Sequence, residues 1–177
     1  MNNWLILIFF IVILLIFMTA AWAGIIAAPW LPTRKKDIDR ALRLIHLEPS
    51  DIITDLGCGD ARILTEAVKK YHAQAVGYEI SILNFIWSWF NSVLANLKSK
   101  EGKTTIRLRN FFKEDLSQYS VIFSYLTPNA MKKLSEKYKK ELKKGTRIVS
   151  FAFQLPGFKP VEVFQEHRRV TIYLYKA

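Results

Sequence analysis

The sequence predicts a three-layer α/β domain on a largely parallel sheet, preceded by one membrane-spanning helix. Three observations carry that prediction. Apolar runs of strand length alternate with runs of helical periodicity through residues 34–177. The first strand runs into Gly57-Cys58-Gly59 and the second ends on Glu79, which is the βαβ order of strand, glycine turn, helix, strand and acid. Residues 1–33 contain no Asp, Glu, Lys or Arg, so the net charge of +11 belongs wholly to residues 34–177.

The 25 residues from Trp4 to Ala28 have Thr19 as their most polar side chain. As a helix they measure about 37 Å, enough to cross roughly 30 Å of hydrocarbon with some tilt. Trp4 and Trp30 suit the two interfaces, and Pro29 and Pro32 stop the helix. Arg34-Lys35-Lys36 come directly after, and the positive-inside rule places them, with the domain behind them, in the cytoplasm. Ala21-Trp22-Ala23 also has the small-x-small form of a signal cleavage site. A retained anchor is the expected reading, because Met1-Asn2-Asn3 supplies no positive n-region and apolarity continues through Ile25, Ile26 and Ala28. The expected organisation is a transmembrane anchor over 1–29, a linker and N-terminal helix over 30–50, and the α/β domain over 51–177.

Within residues 34–47, Ile38, Ala41, Leu42 and Ile45 form the stripe of an amphipathic helix, and Glu48-Pro49-Ser50 makes a turn. Asp51–Leu56 is a short buried strand. Asp60 is expected to cap a helix whose inner face is Ile63, Leu64, Ala67, Val68 and Tyr71. Ala75–Tyr78 is the second strand. Residues 81–97 are uncharged, yet Ser81, Asn84, Ser88, Asn91, Ser92 and Asn96 recur at helical spacing. This predicts an amphipathic helix with a broad aromatic face around Phe85, Trp87, Trp89 and Phe90, and not a second span. That face is expected to pack on the sheet, with lipid or a partner as the alternative.

Thr104–Leu108 and Tyr119–Tyr125 are strands three and four. A helix over 128–143 carries Met131, Leu134, Tyr138 and Leu142 inward. Its outer face holds six lysines, a solvated surface that could also meet anionic headgroups. Gly145 ends it, Thr146–Phe153 is the fifth strand, and Val161–Phe164 with Val170–Tyr175 closes the sheet as an antiparallel pair. Cys58 is the only cysteine, which excludes a disulfide framework, and His46, His72 and His167 are too scattered for a metal motif.

In such sheets, ligands bind beyond the C-terminal strand ends at the topological switch, where Asp55-Leu56-Gly57-Cys58-Gly59-Asp60 lies. Glycines admit close backbone approach, and a helix start offers free N–H groups. Glu79 can accept both hydroxyls of a ribose, which implies an adenosine-containing cofactor. A dinucleotide turn would put glycine where Arg62 stands, and Asp55 would repel a diphosphate. S-Adenosylmethionine, with a ribose, an amino group and a sulfonium but no phosphate, fits these residues better. Cys58 is read as a small residue passing the ligand, with nothing beside it to activate a nucleophile.

Asp55 to Arg62 resembles motif I of the class I, seven-β-strand methyltransferases, and Gly77-Tyr78-Glu79 resembles their acidic second-strand end. The apolar N-terminus, Pro29-Trp30-Leu31-Pro32-Thr33, Val121–Pro128, Arg147–Ser150 and Pro156-Gly157-Phe158 resemble one branch. That branch comprises membrane-anchored protein-lysine methyltransferases acting on the c subunit of ATP synthase and on adenine nucleotide translocase. The resemblance implies a Rossmann-like fold with a mostly parallel seven-stranded sheet. It implies S-adenosylmethionine bound by Thr33, Asp55, Gly57, Cys58, Gly59, Asp60, Arg62, Glu79, Ile80, Asn110, Phe111 and Tyr125. Tyr125, Thr127 and Pro128 would position the acceptor, and Phe151 and Phe153 would wall its channel. Two positions depart from the family pattern. Ala61 replaces the usual third glycine, a tolerable change where the residue is already helical. Asn110 replaces an acid that accepts the adenine amino group. The implied partners are the bilayer and a protein with a target lysine. Nucleic acid, suggested only by net charge, is not the expected acceptor, since the lysines concentrate on one helix and no Asn-Pro-Pro-aromatic motif comes after strand four. The same residues are compatible with a lipid or small-molecule acceptor, and with a non-catalytic module that binds the cofactor at the membrane.

Overall fold

The structure, a computed structural model, describes residues 3–167 and 169–177, so Met1 and Asn2 of the n-region reading lie outside it. Its helices are α1 (Asn3–Ile26), α2 (Lys35–Leu44), α3 (Arg62–Tyr71), α4 (Ile82–Lys98) and α5 (Pro128–Glu141). The strands are β1 (Ile52–Leu56), β2 (Gln74–Glu79), β3 (Thr104–Leu108), β4 (Val121–Ser124), β5 (Arg147–Phe151), β6 (Glu162–Phe164) and β7 (Ile172–Lys176). They form one seven-stranded sheet in the order β3-β2-β1-β4-β5-β7-β6, with β7 running opposite to the other six. The chain order reverses between β1 and β4, which is the switch point expected of such a sheet.

Alternation along β4 and β5 divides the core into two layers. Val121, Phe123, Val149 and Phe151 pack with α2 and α3, whereas Ile122 and Ile148 pack with Met131, Leu134 and Tyr138 of α5. β4 stops before Tyr125 and begins after Tyr119, whose hydroxyl bonds that of Tyr78 at 2.7 Å beneath β2.

Two helices depart from expectation. The aromatic face of α4 does not pack on the sheet. Ser88, Ser92 and Ala95 are the buried residues of α4, and Trp87, Phe90 and Leu97 point outward. The physical reason lies in hydrogen bonding. Asn91 Nδ2 donates to the carbonyl of Asp60, and Asn96 both donates to the Thr104 carbonyl and accepts the Thr104 N–H, so the polar stripe satisfies backbone groups that burial would orphan. Serines and alanine on the same face let the helix approach closely.

The apolar helix α1 does not merely lead into the domain. Its first five turns are largely exposed, but Ala23 and Ala27 are buried against it. The carbonyl of Ala27 accepts both the backbone N–H and the hydroxyl of Thr127, at 3.0 and 2.7 Å. Thr127 also caps α5, accepting the Ala130 N–H through Oγ1, and Pro128 occupies the first turn. Both were expected to position an acceptor; their observed work is to cap one helix and clamp another.

Candidate active site

The glycine turn is held by the end of β2. Gly57 and Cys58 both donate to the Tyr78 carbonyl, at 2.9 and 3.0 Å, and Gly59 donates to Glu79 Oε2 at 3.0 Å. The other carboxylate oxygen accepts from Ile80 and Ser81, at 2.8 and 2.9 Å. Gly57 and Gly59 lie at φ +84° and +56°, where a side chain is strained. A Cβ on Gly59 would come within 2.6 Å of the Trp30 indole, so the segment after α1 lies directly over the turn. Gly77 in β2 is equally constrained, since a Cβ there would meet Cys58 Sγ at 2.7 Å.

Ala61 is left-handed, at φ +62°, and precedes the first residue of α3. The expectation of a helical Ala61 is therefore corrected. This is the conformation that glycine would adopt freely, and alanine there costs on the order of 1 kcal/mol. Asp60 is not the N-cap residue; its carboxylate accepts the Arg62 backbone N–H at 3.3 Å and pairs with the Arg62 guanidinium. Arg62 Nη1 in turn donates to the Thr33 carbonyl at 2.9 Å, tying the glycine turn to the segment that covers it.

These parts enclose a cavity of about 410 Å³ at the C-terminal ends of β1, β2 and β4. Asp55, Gly57, Cys58, Gly59, Asp60 and Arg62 line it from the turn. Thr33, Glu79, Ile80, Phe111 and Tyr125 line it from the other sides, so eleven expected positions converge. Five do not. Asn110 caps the short 3-10 turn Phe111–Lys113, its Oδ1 accepting the Phe112 N–H at 3.0 Å, and is not on the cavity wall. Thr127 and Pro128 serve α5 as described. Phe151 is fully buried with its ring 4.7 Å from that of Phe123, and Phe153 is exposed beyond β5. Neither phenylalanine walls the cavity; the Phe151 ring packs into the core against Phe123 and Tyr125.

The unexpected wall is the end of α1 with the residues that follow it. Ala20, Ala21, Ala23 and Gly24 of the helix, and Ala27 and Ala28 after it, line the same cavity. A change of composition marks them: large apolar residues dominate 4–18, and small residues dominate 20–28. Small residues let a helix backbone lie close to its neighbour.

Two carboxyls dominate the electrostatics. Asp55 is 3 % exposed, yet neither of its side-chain oxygens accepts a hydrogen bond from a described residue. Burial, reinforced by Glu79 and Asp60, holds its carboxyl well above the usual range. Burial raises Glu79 as well, against its three backbone donors. Burial likewise pushes the Cys58 thiol up, with Asp55 and Glu79 adding to it, so this cysteine is no thiolate nucleophile. An acidic, largely apolar cavity with an unpartnered carboxyl fits the cationic amino group and sulfonium of S-adenosylmethionine and rejects a phosphate ligand.

Residues 55–162 match the family model described as the ANTKMT methyltransferase domain. A protein-lysine N-methyltransferase of Saccharolobus islandicus is 37 % identical over 153 residues, spanning 83 % of this chain and 92 % of that protein. The human lysine N-methyltransferase of the ATP synthase c subunit is 28 % identical over 141 residues, spanning 80 % of this chain and 58 % of its own length. Among solved structures, an RNA methyltransferase from Salinibacter ruber in complex with S-adenosyl-L-homocysteine superposes with a TM-score of 0.77. It is 29 % identical, over 82 % of this chain and 93 % of that one.

Proposed function

The chain belongs to the ANTKMT methyltransferase domain family, and on that premise we propose that this S-adenosylmethionine-dependent methyltransferase modifies the Nζ of a lysine in a membrane-associated protein. The lysine is supported by the relatives, which are protein-lysine methyltransferases. The membrane is supported by one observation: the last turns of the apolar helix α1 are a wall of the cofactor cavity. If α1 spans a bilayer, with Arg34-Lys35-Lys36 and the domain on the cytoplasmic side, the reacting centre stands at the membrane surface.

Asp55 and Glu79 hold the cofactor, which supplies when bound an electrophilic methyl group. The chain's remaining task is placement. An ordinary lysine, with a pKa of about 10.4, is almost wholly protonated at neutral pH and has no lone pair to offer. Phe111, Leu126 and the alanines of α1 give the cavity apolar walls, which disfavour the ammonium form. Tyr125 stands at the end of β4 and lines both this cavity and a second, smaller one that contains Asp37. Its position between the two supports a role for it in orienting an incoming side chain.

Proton linkage checks the role of Asp55. In the free protein its carboxyl stays protonated well above 3.8, so its burial costs least at low pH and destabilises the fold as pH rises through its raised value. A bound cation lowers that value again. Binding is therefore expected to tighten with rising pH up to the ligand-free value and to release a proton below it. Isothermal titration at acidic pH in two buffers of different ionisation enthalpy measures that release. Asp55→Asn is expected to abolish it, and an unchanged proton count in that variant would remove Asp55 from the cofactor.

The likeness to an RNA methyltransferase, with the net charge of +11, favours a second reading in which the acceptor is RNA. Tritiated methyl donor added to the full chain in membrane extracts separates the two. Label recovered as methyl-lysine after acid hydrolysis of membrane protein is the expected result. Label that resists protease and is released by ribonuclease would overturn it.

A further inference from the structure

We propose that α4 is a second membrane-contact element, lying in the headgroup region of the bilayer that α1 crosses with its aromatic face turned to lipid. The inference rests on the reading of α1 as a spanning helix. Leu83, Ile86, Trp87, Phe90, Leu94 and Leu97 succeed one another at helical spacing as a single stripe, each exposed, with Trp87 at 65 % and Leu97 at 78 %. In a helix that meets only water, this face would turn inward; here the serine and asparagine face does so, and hydrogen bonds hold it there. The helix is about 26 Å long and carries no charge before Lys98.

The occupant is identified by continuity with α1. The backbone N–H of Ile82, the first residue of α4, donates to Thr19 Oγ1 of α1 at 3.1 Å. Thr19 lies seven residues before the end of α1, about 10 Å along its axis. Interfacial helices sink about 5–10 Å below the headgroups, so α4 starts at the depth such a helix occupies. Between that level and the helix end α1 exposes Trp22 and Ile25. Tryptophan prefers this depth, and the α4 stripe presents Trp87 there. At its far end Lys98 and Lys100 are exposed, where lipid phosphates would meet them. A bilayer fixed by α1 covers this face without any further partner. It also sets the depth of the cavity, which lies between the end of α1 and the start of α4, so the acceptor lysine would be one held at headgroup level.

Brominated phospholipids quench tryptophan at a depth set by the bromine position, and the chain's five tryptophans divide cleanly between the two helices' regions. In the full chain reconstituted in phosphatidylcholine vesicles, the W4F/W22F/W30F variant retains only Trp87 and Trp89. Its emission is expected to fall severalfold more with lipid brominated near the headgroup end of the acyl chain than with unbrominated lipid, and less with bromine at the bilayer centre. The reciprocal W87F/W89F variant reports α1. Quenching of the reciprocal variant alone would overturn the proposal and leave the anchor standing. Quenching of neither would overturn the anchor and the proposal together. Unquenched α4 tryptophans with a detergent-stable dimer would assign the face to a second copy of the chain, and equally overturn it.

Discussion

Glu79→Ala is expected to abolish measurable binding of S-adenosylmethionine and to destabilise the domain. The Glu79 carboxylate is the acceptor for three backbone donors, those of Gly59, Ile80 and Ser81, and two of these bonds are buried. Removing an acceptor leaves each buried N–H with a desolvation penalty of about 1–3 kcal/mol, partly relieved by water entering through the cavity. The expected loss is about 2–4 kcal/mol in unfolding free energy, read as a lower denaturant midpoint. Binding suffers twice, because the glycine turn loses its tether and the ribose loses its acceptor. Two charge-assisted hydrogen bonds at about 1.5–3 kcal/mol each correspond to at least about a hundredfold in affinity. Glu79→Gln retains one oxygen acceptor and is expected to recover most of the stability but little of the affinity. Unchanged titration by Glu79→Ala would take Glu79 out of the site.

Deleting residues 1–29 is expected to weaken cofactor binding at least about tenfold relative to the full chain in lipid nanodiscs. The deletion removes six small residues from the cavity wall and the Ala27 carbonyl that accepts two bonds from Thr127. A dry wall becomes an open edge, and the cationic ligand then competes with water for Asp55. Ala23→Leu in the full chain fills the cavity from the same side without detaching the helix, so it should weaken titration in the same direction. Equal affinity in the truncated and full chains would show that α1 only tethers the domain.

The legible parts of this protein were those whose cause is local. The uncharged run of residues 4–28 is visible as a candidate span because hydropathy belongs to each side chain alone. The turn at Gly57-Cys58-Gly59 is visible because positive φ excludes most other residues, and the acid closing β2 is visible by its spacing from that turn. With the βαβ order these predict a largely parallel sheet and an adenosine-containing, phosphate-free cofactor at the turn. The resemblance to known methyltransferases added the seven strands and the wider set of site residues, eleven of which line the cavity.

What the tertiary structure decided is where each side chain's bonding capacity is used. Asn110 and Thr127 carry the right functional groups for a site, yet both satisfy helix starts, because an unpaired N–H at a cap is nearer than any ligand. Ala61 sits where a glycine is expected, and only the path of the backbone reveals that it is left-handed. Periodicity shows that α4 has a polar and an aromatic face but not which one turns inward. That depends on the carbonyls of Asp60 and Thr104, which come from other segments of the chain. The same holds for α1, whose small residues read as one more stretch of anchor until the fold lays them against Glu79 and the glycine turn. Local propensity acts through a residue's own backbone and neighbours in sequence; the choice of buried face and of cavity wall is made by groups far apart in the chain, and they meet only in the folded protein.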